Sequence, residues 1–384
     1  MNPKSLIAVM VLLLVAGFVM IDHHTAGAGE VNPTSGYKVI EPIRHGNLTI
    51  FPVVTAKTYS TGEFLTLDEG LHSGEVVVTE AGSVQGLIRR HGTPVVRHDG
   101  AEVNRLVLVN NSKRPLLLLA GEIVSGGRQD RVIGKDRIVP AESDPVDLGV
   151  FCVEPGRWVA STEHFGASEA LYGRGIGGPI HGPATPPMAI MAQPSVRAKA
   201  MADKDQREVW NEVNKQKAAM TVEVEAAAPA VASQMQQVTS YAKVNENAEV
   251  RKQVDAVARP MEQSYQSLIH QLRDRNAVGV VVAVNGRIIW ADVFASTDLL
   301  NKYWPKLVRS YASEAVVTRA KDTEVTMKQA DGFLADMEGR RQMIESEPGI
   351  YRHTEVTGDG FKAFSLTSLL PKTGFDVHVA KMAD

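Results

Sequence analysis

The chain has 384 residues, of which 44% are hydrophobic and 22% charged, a balance ordinary for a globular protein and unlike that of a disordered polypeptide. Its formal net charge of −3 offers no basic footprint for nucleic acid. With one cysteine, Cys152, an intrachain disulfide is excluded, so stability has to come from packing.

The first residues read as an export leader: Lys4 gives a positive start, Leu6 to Ile21 an apolar run, and Ala26-Gly27-Ala28 the small residues of a cleavage site. Residues 1–28 are therefore expected to be a signal peptide cut after Ala28. The apolar run is shorter than the roughly 18 residues of a membrane span, with an uncleaved N-terminal anchor as the alternative. No cysteine follows the run closely, which argues against a lipoprotein anchor. Lys4 and Asp22 leave together on cleavage, so the mature chain stays near neutral. These features point to a periplasmic or secreted protein with no membrane attachment once the leader is gone.

From 35 to 166 the pattern is β-rich. Leu48–Val54, Val76–Glu80, Arg105–Val109, Leu116–Leu119 and Val146–Glu154 are short apolar runs separated by Gly, Asn, Pro or Asp. In the last run Val146, Leu148, Val150 and Cys152 share one face by the two-residue period. Asn110 to Pro115 reads as a turn joining paired strands. Residues 167–194 are rich in Gly and Pro and predict an exposed loop.

Residues 195–274 read as helical, with 222–231 as a poorly ordered connection and Pro260 as a kink in a single apolar stripe running from Val250 to Leu272. From 275 to 384 the pattern is α+β. Two β-runs flank Asn285-Gly286, the pair best suited to a tight hairpin turn. Ser296 then N-caps a helix that Pro305 should bend or restart. A shorter helix near 326–344 and strands near 349–356, 361–366 and 376–381 complete the prediction. The fold class is α+β, arranged as one composite domain over 35–384.

Chemistry is concentrated at two strand ends. In the stretch Ala120 to Arg131, Glu122, Arg128, Gln129 and Arg131 follow an apolar run, and the arginines suit a carboxylate or phosphate. An internal ion pair of Glu122 with one of those arginines is the structural alternative. Glu154, Arg157 and Trp158 close the Val146–Glu154 strand and could present a cation and a flat aromatic face to an anionic or planar ligand. Cys152 lies on an apolar face, where a thiol is ordinarily inert packing. Asp292, Lys306 and Arg309 form a third group, in which the two cations share a helix face as an anion clamp or, more simply, as solvated surface charge.

No P-loop, His-x-x-x-His, Cys-x-x-Cys or Gly-x-Ser-x-Gly pattern occurs, so no metal site is predicted and no cofactor is identified. Three functions remain open. One is a binding or scaffold domain for a small anionic ligand, with Glu122, Arg128, Gln129, Arg131, Glu154, Arg157 and Trp158 around one pocket. Another is a hydrolase of a phosphorylated or glycosidic substrate, with Glu122 or Glu154 as general acid or base. The third is a structural envelope protein.

Several stretches also resemble a known bacterial family. They are Leu116 to Arg131 (LLLLAGEIVSGGRQDR), Phe151 to Trp158 (FCVEPGRW), Arg207 to Val213 (REVWNEV), Gly279 to Arg287 (GVVVAVNGR) and Trp304 to Tyr311 (WPKLVRSY). The family is named for association with ADP-ribosylglycohydrolase and rhodanese/phosphatase-superfamily proteins. The resemblance brings no catalytic residue with it; the association implies a nucleotide-derived or phosphorylated ligand.

Overall fold

The computed structural model describes residues 36–81, 103–156, 162, 164–166, 190–272, 276–318 and 323–384. The predicted leader, residues 1–28, lies outside them, as do 167–189 of the Gly/Pro stretch.

In chain order, strands β1 (Lys38–Val39), β2 (Ile43–His45), β3 (Leu48–Thr55) and β4 (Leu65–Thr66) precede helix α1 (Leu67–Ser73). Strands β5 (Val76–Glu80), β6 (Arg105–Asn110), β7 (Leu116–Leu118), β8 (Ile123–Val124), β9 (Arg131–Ile133), β10 (Arg137–Val139), β11 (Val146–Cys152) and β12 (His164–Phe165) follow. The middle is helical, with α2 (Pro194–Ala198) continuing into a π-turn at Lys199–Asp203, then α3 (Gln206–Glu225), α4 (Pro229–Met235), α5 (Tyr241–Glu246) and α6 (Ala248–Gln271). The hairpin β13 (Asn276–Val284) and β14 (Arg287–Phe294) leads to α7 (Thr297–Val316), α8 (Met327–Ala335), β15 (Arg340–Glu347), β16 (Tyr351–Gly358), β17 (Phe361–Ser368) and β18 (Asp376–Ala383). The architecture is α+β.

A nine-stranded sheet runs β1-β3-β13-β14-β18-β17-β16-β15, with β2 also paired to β3. β3, from the N-terminal part, lies antiparallel beside β13, Leu48 opposite Val284 and Thr55 opposite Asn276. Both faces of the sheet centre are covered. Val280, Val282 and Val284 of β13 pack into the main core with α7, while Val278, Val281 and Ala283 pack on the other face with Ala330 and Leu334 of α8. A strand enclosed on both sides needs no polar alternate positions, which explains the continuous valine run.

α7 buries Leu299, Leu300, Tyr303, Trp304, Leu307, Val308 and Tyr311. Trp304 stacks on Tyr265 of α6 with ring centroids 4.1 Å apart. Ser296 caps the helix as expected, its hydroxyl accepting from Leu299 N at 3.1 Å. Neither proline breaks its helix: α6 runs through Pro260 and α7 through Pro305. Losing one helical hydrogen bond costs about 3 kcal/mol, less than the apolar burial that holds either stripe in place. Among the described residues no helix is long and apolar enough to cross a membrane.

Two smaller sheets, β10-β7-β4 and β12-β5-β6-β11-β9-β8, enclose a second core that includes Leu106, Leu108, Leu118, Leu148 and Val150. Here the expected turn is present, but the strands it joins do not pair with each other. β6 belongs to the six-stranded sheet and β7 to the three-stranded one. The Asn110 side chain donates to Arg114 O at 2.8 Å and Pro140 O at 2.9 Å, fixing the point where the chain changes sheets.

Three further expectations are corrected. Residues 222–231 are not a loose connection, because α3 extends to Glu225 and Pro229 opens α4, where a missing N–H is harmless. The helix expected to 344 ends at Ala335, and Arg340–Glu347 is instead a strand paired with β16. The end of the Gly/Pro stretch is packed rather than loose: Ile123 N donates to Ile190 O at 2.8 Å, and Pro194 starts α2.

The Asn285-Gly286 turn has φ of +52° and +68°, as a tight hairpin of this hand requires. A Cβ on Gly286 would press into Thr323, 2.6 Å from its carbonyl carbon. Gly286→Ala is therefore expected to lower the unfolding free energy by on the order of 2 kcal/mol in urea titration, and a curve superimposable on the parent's would refute the constraint.

Candidate functional site

The turn Ala120-Gly121-Glu122, just after β7, is the point where the three parts of the chain meet. Its amides and carbonyls are shared out among distant elements. Ala120 N donates to Asp136 at 2.7 Å, Ala120 O accepts from Arg197 Nε at 3.2 Å, and Gly121 O accepts from Ala192 N at 2.8 Å. Gly121 has φ of +97° and lies under the Arg197 side chain, which a Cβ would meet 2.8 Å from Cδ. Only glycine fits here.

On one side of this turn lies a wholly buried ionic chain. Arg197 of α2 makes a two-pronged bond to Asp292 of β14, Nη1 to Oδ2 at 2.8 Å and Nη2 to Oδ1 at 2.9 Å. His378 of β18 stands between two carboxylates, Nδ1 at 2.6 Å from Asp136 and Nε2 at 3.1 Å from Asp292. The Tyr311 hydroxyl of α7 donates to Asp292. The Arg197 guanidinium also lies 4.4 Å over the Trp290 ring.

Burial alone would push the His378 imidazole down, but Asp136 and then Asp292 outweigh it and hold it up to about 9. Burial likewise opposes ionisation of the two aspartates, and Arg197 and His378 more than offset it, keeping both carboxyls below the usual range. Two cations and two anions thus form a neutral set in which each charge has a partner.

On the other side, Glu122 is bound by Lys306 of α7 and accepts from Leu119 N at 2.7 Å. Lys306 also pairs with Asp68 of α1 at 2.6 Å. Burial pushes the Glu122 carboxyl up, and the ammonium of Lys306 pulls it back only part of the way. Lys306 is 3% exposed, so it is no solvated surface charge. Its neighbour Arg309 is, however, half-buried and pairs with Asp255 at 3.2 Å, so the two cations do not form a clamp. The partner of Glu122 is thus a lysine 184 residues further on rather than a nearby arginine.

The two strand ends singled out in the sequence do come together. β9 pairs with β11, placing Arg131 opposite Cys152. Gln129 Nε2 donates to Glu154 O at 3.0 Å, Asp130 N to Glu154 Oε2 at 3.1 Å, and Arg131 Nη1 to Gln129 O at 2.7 Å. The Ser240 hydroxyl joins them, donating to Asp130 at 2.5 Å. Arg128 is half-buried, and its backbone N–H donates to Glu80 at 2.8 Å. Burial raises the Cys152 thiol, whose Sγ accepts from Glu154 N at 3.3 Å. Arg157 and Trp158 lie outside the described residues.

This convergence is tightly packed. Glu122 and Arg131 are 0% exposed, Glu154 2% and Gln129 5%. A groove of about 490 Å³ lies elsewhere, on α6, walled by Glu246, Arg251, Lys252, Asp255 and Arg259. Among the described residues no group of three or more His, Cys, Asp or Glu side chains is arranged to hold a metal ion.

Sequence reasoning noticed Asp292 but missed its partners Arg197 and His378, and Asp136 on the far side of His378. A signal was present, because Asp292 falls within the buried Trp290–Phe294 end of β14 and His378 between the buried valines Val377 and Val379 of β18.

The model of the ARG and Rhodanese-Phosphatase-superfamily-associated Protein domain matches residues 36–381, and the chain belongs to that family. No curated protein and no solved structure matches the chain.

Two buried histidines give the molecule opposite pH sensitivities. His378, held up to about 9 against an ordinary 6.5, contributes stability that is complete below pH 6.5 and lost as pH rises through 9. His353 of β16 is lowered to about 4, first by burial, so its contribution is complete above pH 6.5 and lost as pH falls through 4. Each limb should span on the order of 3 kcal/mol. Urea stability should therefore peak near pH 6.5, with His378→Gln flattening the alkaline limb and His353→Leu the acid one. Limbs unchanged by these substitutions would assign the pH dependence to other groups.

Proposed function

We propose that residues 35–384 form a single composite domain, exported across the inner membrane, that binds or scaffolds a small anionic or nucleotide-derived ligand without hydrolysing it. The leader pattern of residues 1–28 supports export. The sharing of one sheet by strands from both ends of the chain supports a single domain. Association with ADP-ribose chemistry in the family's name supports the ligand class.

One observation carries the choice of binding over hydrolysis: the carboxylates a hydrolase would use are spent internally. Glu122 is fully buried between Lys306 and Leu119 N, and Glu154 accepts from Asp130 N. A general acid or base has to reach a substrate proton within hydrogen-bond distance. Neither carboxylate is placed to do so.

Glu122→Gln should accordingly act on stability, lowering the unfolding free energy by roughly 3 kcal/mol as Lys306 loses a buried counter-charge. In a thermal-shift series on the full chain, a nucleotide or sugar phosphate should raise the melting temperature of the parent. Turnover of a phosphorylated or glycosidic substrate that disappears in Glu122→Gln or Glu154→Gln at an unchanged melting temperature would establish the hydrolase instead.

A further inference from the structure

A polar seam joins α2, α3 and α7, and the anionic-ligand reading makes no use of it. Glu212 and Gln216 of α3, Ser195 of α2 and Glu314 of α7 form one line of hydrogen bonds. Gln216 Nε2 donates to Glu212 Oε1 at 2.6 Å and to Ser195 Oγ at 2.9 Å. The Ser195 hydroxyl and amide both donate to Glu314 Oε2, at 2.8 Å and 3.1 Å.

The atoms left over are all acceptors. Gln216 is 4% exposed, and its Oε1 has no hydrogen-bond partner among the described residues. Turning the amide round does not cure this, because its oxygen would then face the Glu212 carboxylate. Glu314 Oε1 likewise takes no bond among the described residues, since both Ser195 groups use Oε2. One residue back on α7, Ser313 accepts from Gln193 Nε2 at 2.7 Å, and Gln193 Oε1 is also unmatched. Buried acceptors of this kind call for a donor or a cation.

Charge decides between the two. Burial pushes the Glu314 carboxyl up against the bonds from Ser195, and Glu212 adds a repulsion larger than the pull of Lys215. Lys215 straddles Glu212, its Nζ 3.2 Å from Oε1 and 3.3 Å from Oε2. That side chain is 71% exposed, so the pair is screened by water and weak. Lys199 also acts on Glu212 but is bonded to Asp203 at 2.7 Å. Two carboxylates facing the single Lys215 ammonium leave one negative charge in the seam.

The Lys215 ammonium stands where a cation chelated by both Glu212 oxygens sits. Swinging it into solvent clears that position without a preformed cavity, and half-buried Glu314 keeps the seam open to solvent.

We propose that Glu212, Gln216 and Glu314 form a calcium site at the junction of α2, α3 and α7, in which the ion takes the place of the Lys215 ammonium and water completes its shell. The inference stands apart from the anionic-ligand reading. Two carboxylates and an amide oxygen are an all-oxygen set, and their spread over two helices suits the flexible shell of calcium better than the strict octahedron of magnesium. So few charged ligands set Kd on the order of 0.1–1 mM. The bound ion ties α3 to α7 beside α2, the carrier of Arg197.

The test uses the full chain stripped of divalent ions by a chelator, with magnesium chloride and sodium chloride at matched ionic strength as controls. Calcium at roughly ten times Kd raises the melting temperature by about 2 °C or more, and magnesium does so less. In calorimetry, Glu314→Gln and Gln216→Met weaken calcium at least about tenfold, whereas Lys215→Met, which removes the competing ammonium, tightens it about threefold. A purely structural role for these residues would move the melting temperature but not its calcium dependence. Lys215 is exposed, so its variant keeps the inference testable if the buried ones fail to fold.

No calcium effect beyond that of magnesium overturns the site. So does equal calcium affinity in the parent and all three variants, or weaker binding by Lys215→Met.

Discussion

Everything else in the fold is arranged around the desolvated ionic chain Arg197–Asp292–His378–Asp136. Its members come from α2, β14, β18 and the β9–β10 turn, so one continuous set of charge-assisted bonds ties the helical middle and the small sheets to the large sheet. Stripping such groups of water is expensive, and the cost is offset only when each charge has a well-placed opposite. That requirement reaches to the Ala120-Gly121 turn, whose amide and carbonyl satisfy the outer edges of Asp136 and Arg197. It is also why Gly121 cannot carry a side chain. With desolvation offsetting much of the Coulombic gain, removing one member of such a set costs far more than the intact set adds to net stability.

The same principle decides how the conspicuous polar stretch after β7 is read. Glycines, a glutamate and two arginines at a strand end have the composition of a ligand loop, and the two predicted turns do meet. Their meeting is filled by their own hydrogen bonds, with Asp130, Glu154, Gln129 and Ser240 closing on each other. Chemical capacity at a site depends on what is left over once internal partners are satisfied. Among the described residues His353, plain in the sequence, has neither ring nitrogen matched, whereas the conspicuous Glu122 is bonded on both carboxylate oxygens.

Local physics was legible from residues alone. The Asn285-Gly286 hairpin, the Ser296 cap and the alternation of β11 each depend on a few neighbouring residues, and the sequence displays them directly. What escaped depends on partners far along the chain. Asn110–Pro115 reads as a hairpin turn because nothing local reveals that the flanking strands enter different sheets. Arg340–Glu347 reads as a helix extension because its strand character comes from pairing with β16. Lys306 reads as surface charge because Asp68 and Glu122 lie about two hundred residues away. For the same reason Arg197, Asp136 and His378 were not seen as a set.

The position of β18 carries a consequence for how the protein is made. His378 lies within the last strand, yet it supplies the counter-charge for Asp136, 242 residues earlier, and fills the sheet between β14 and β17. β3 must likewise wait for β13 before it has a neighbour on that side. Pairings so remote in sequence close late and slowly. The ionic chain therefore cannot assemble until the segment carrying β18 has been synthesised and has found its place beside β14.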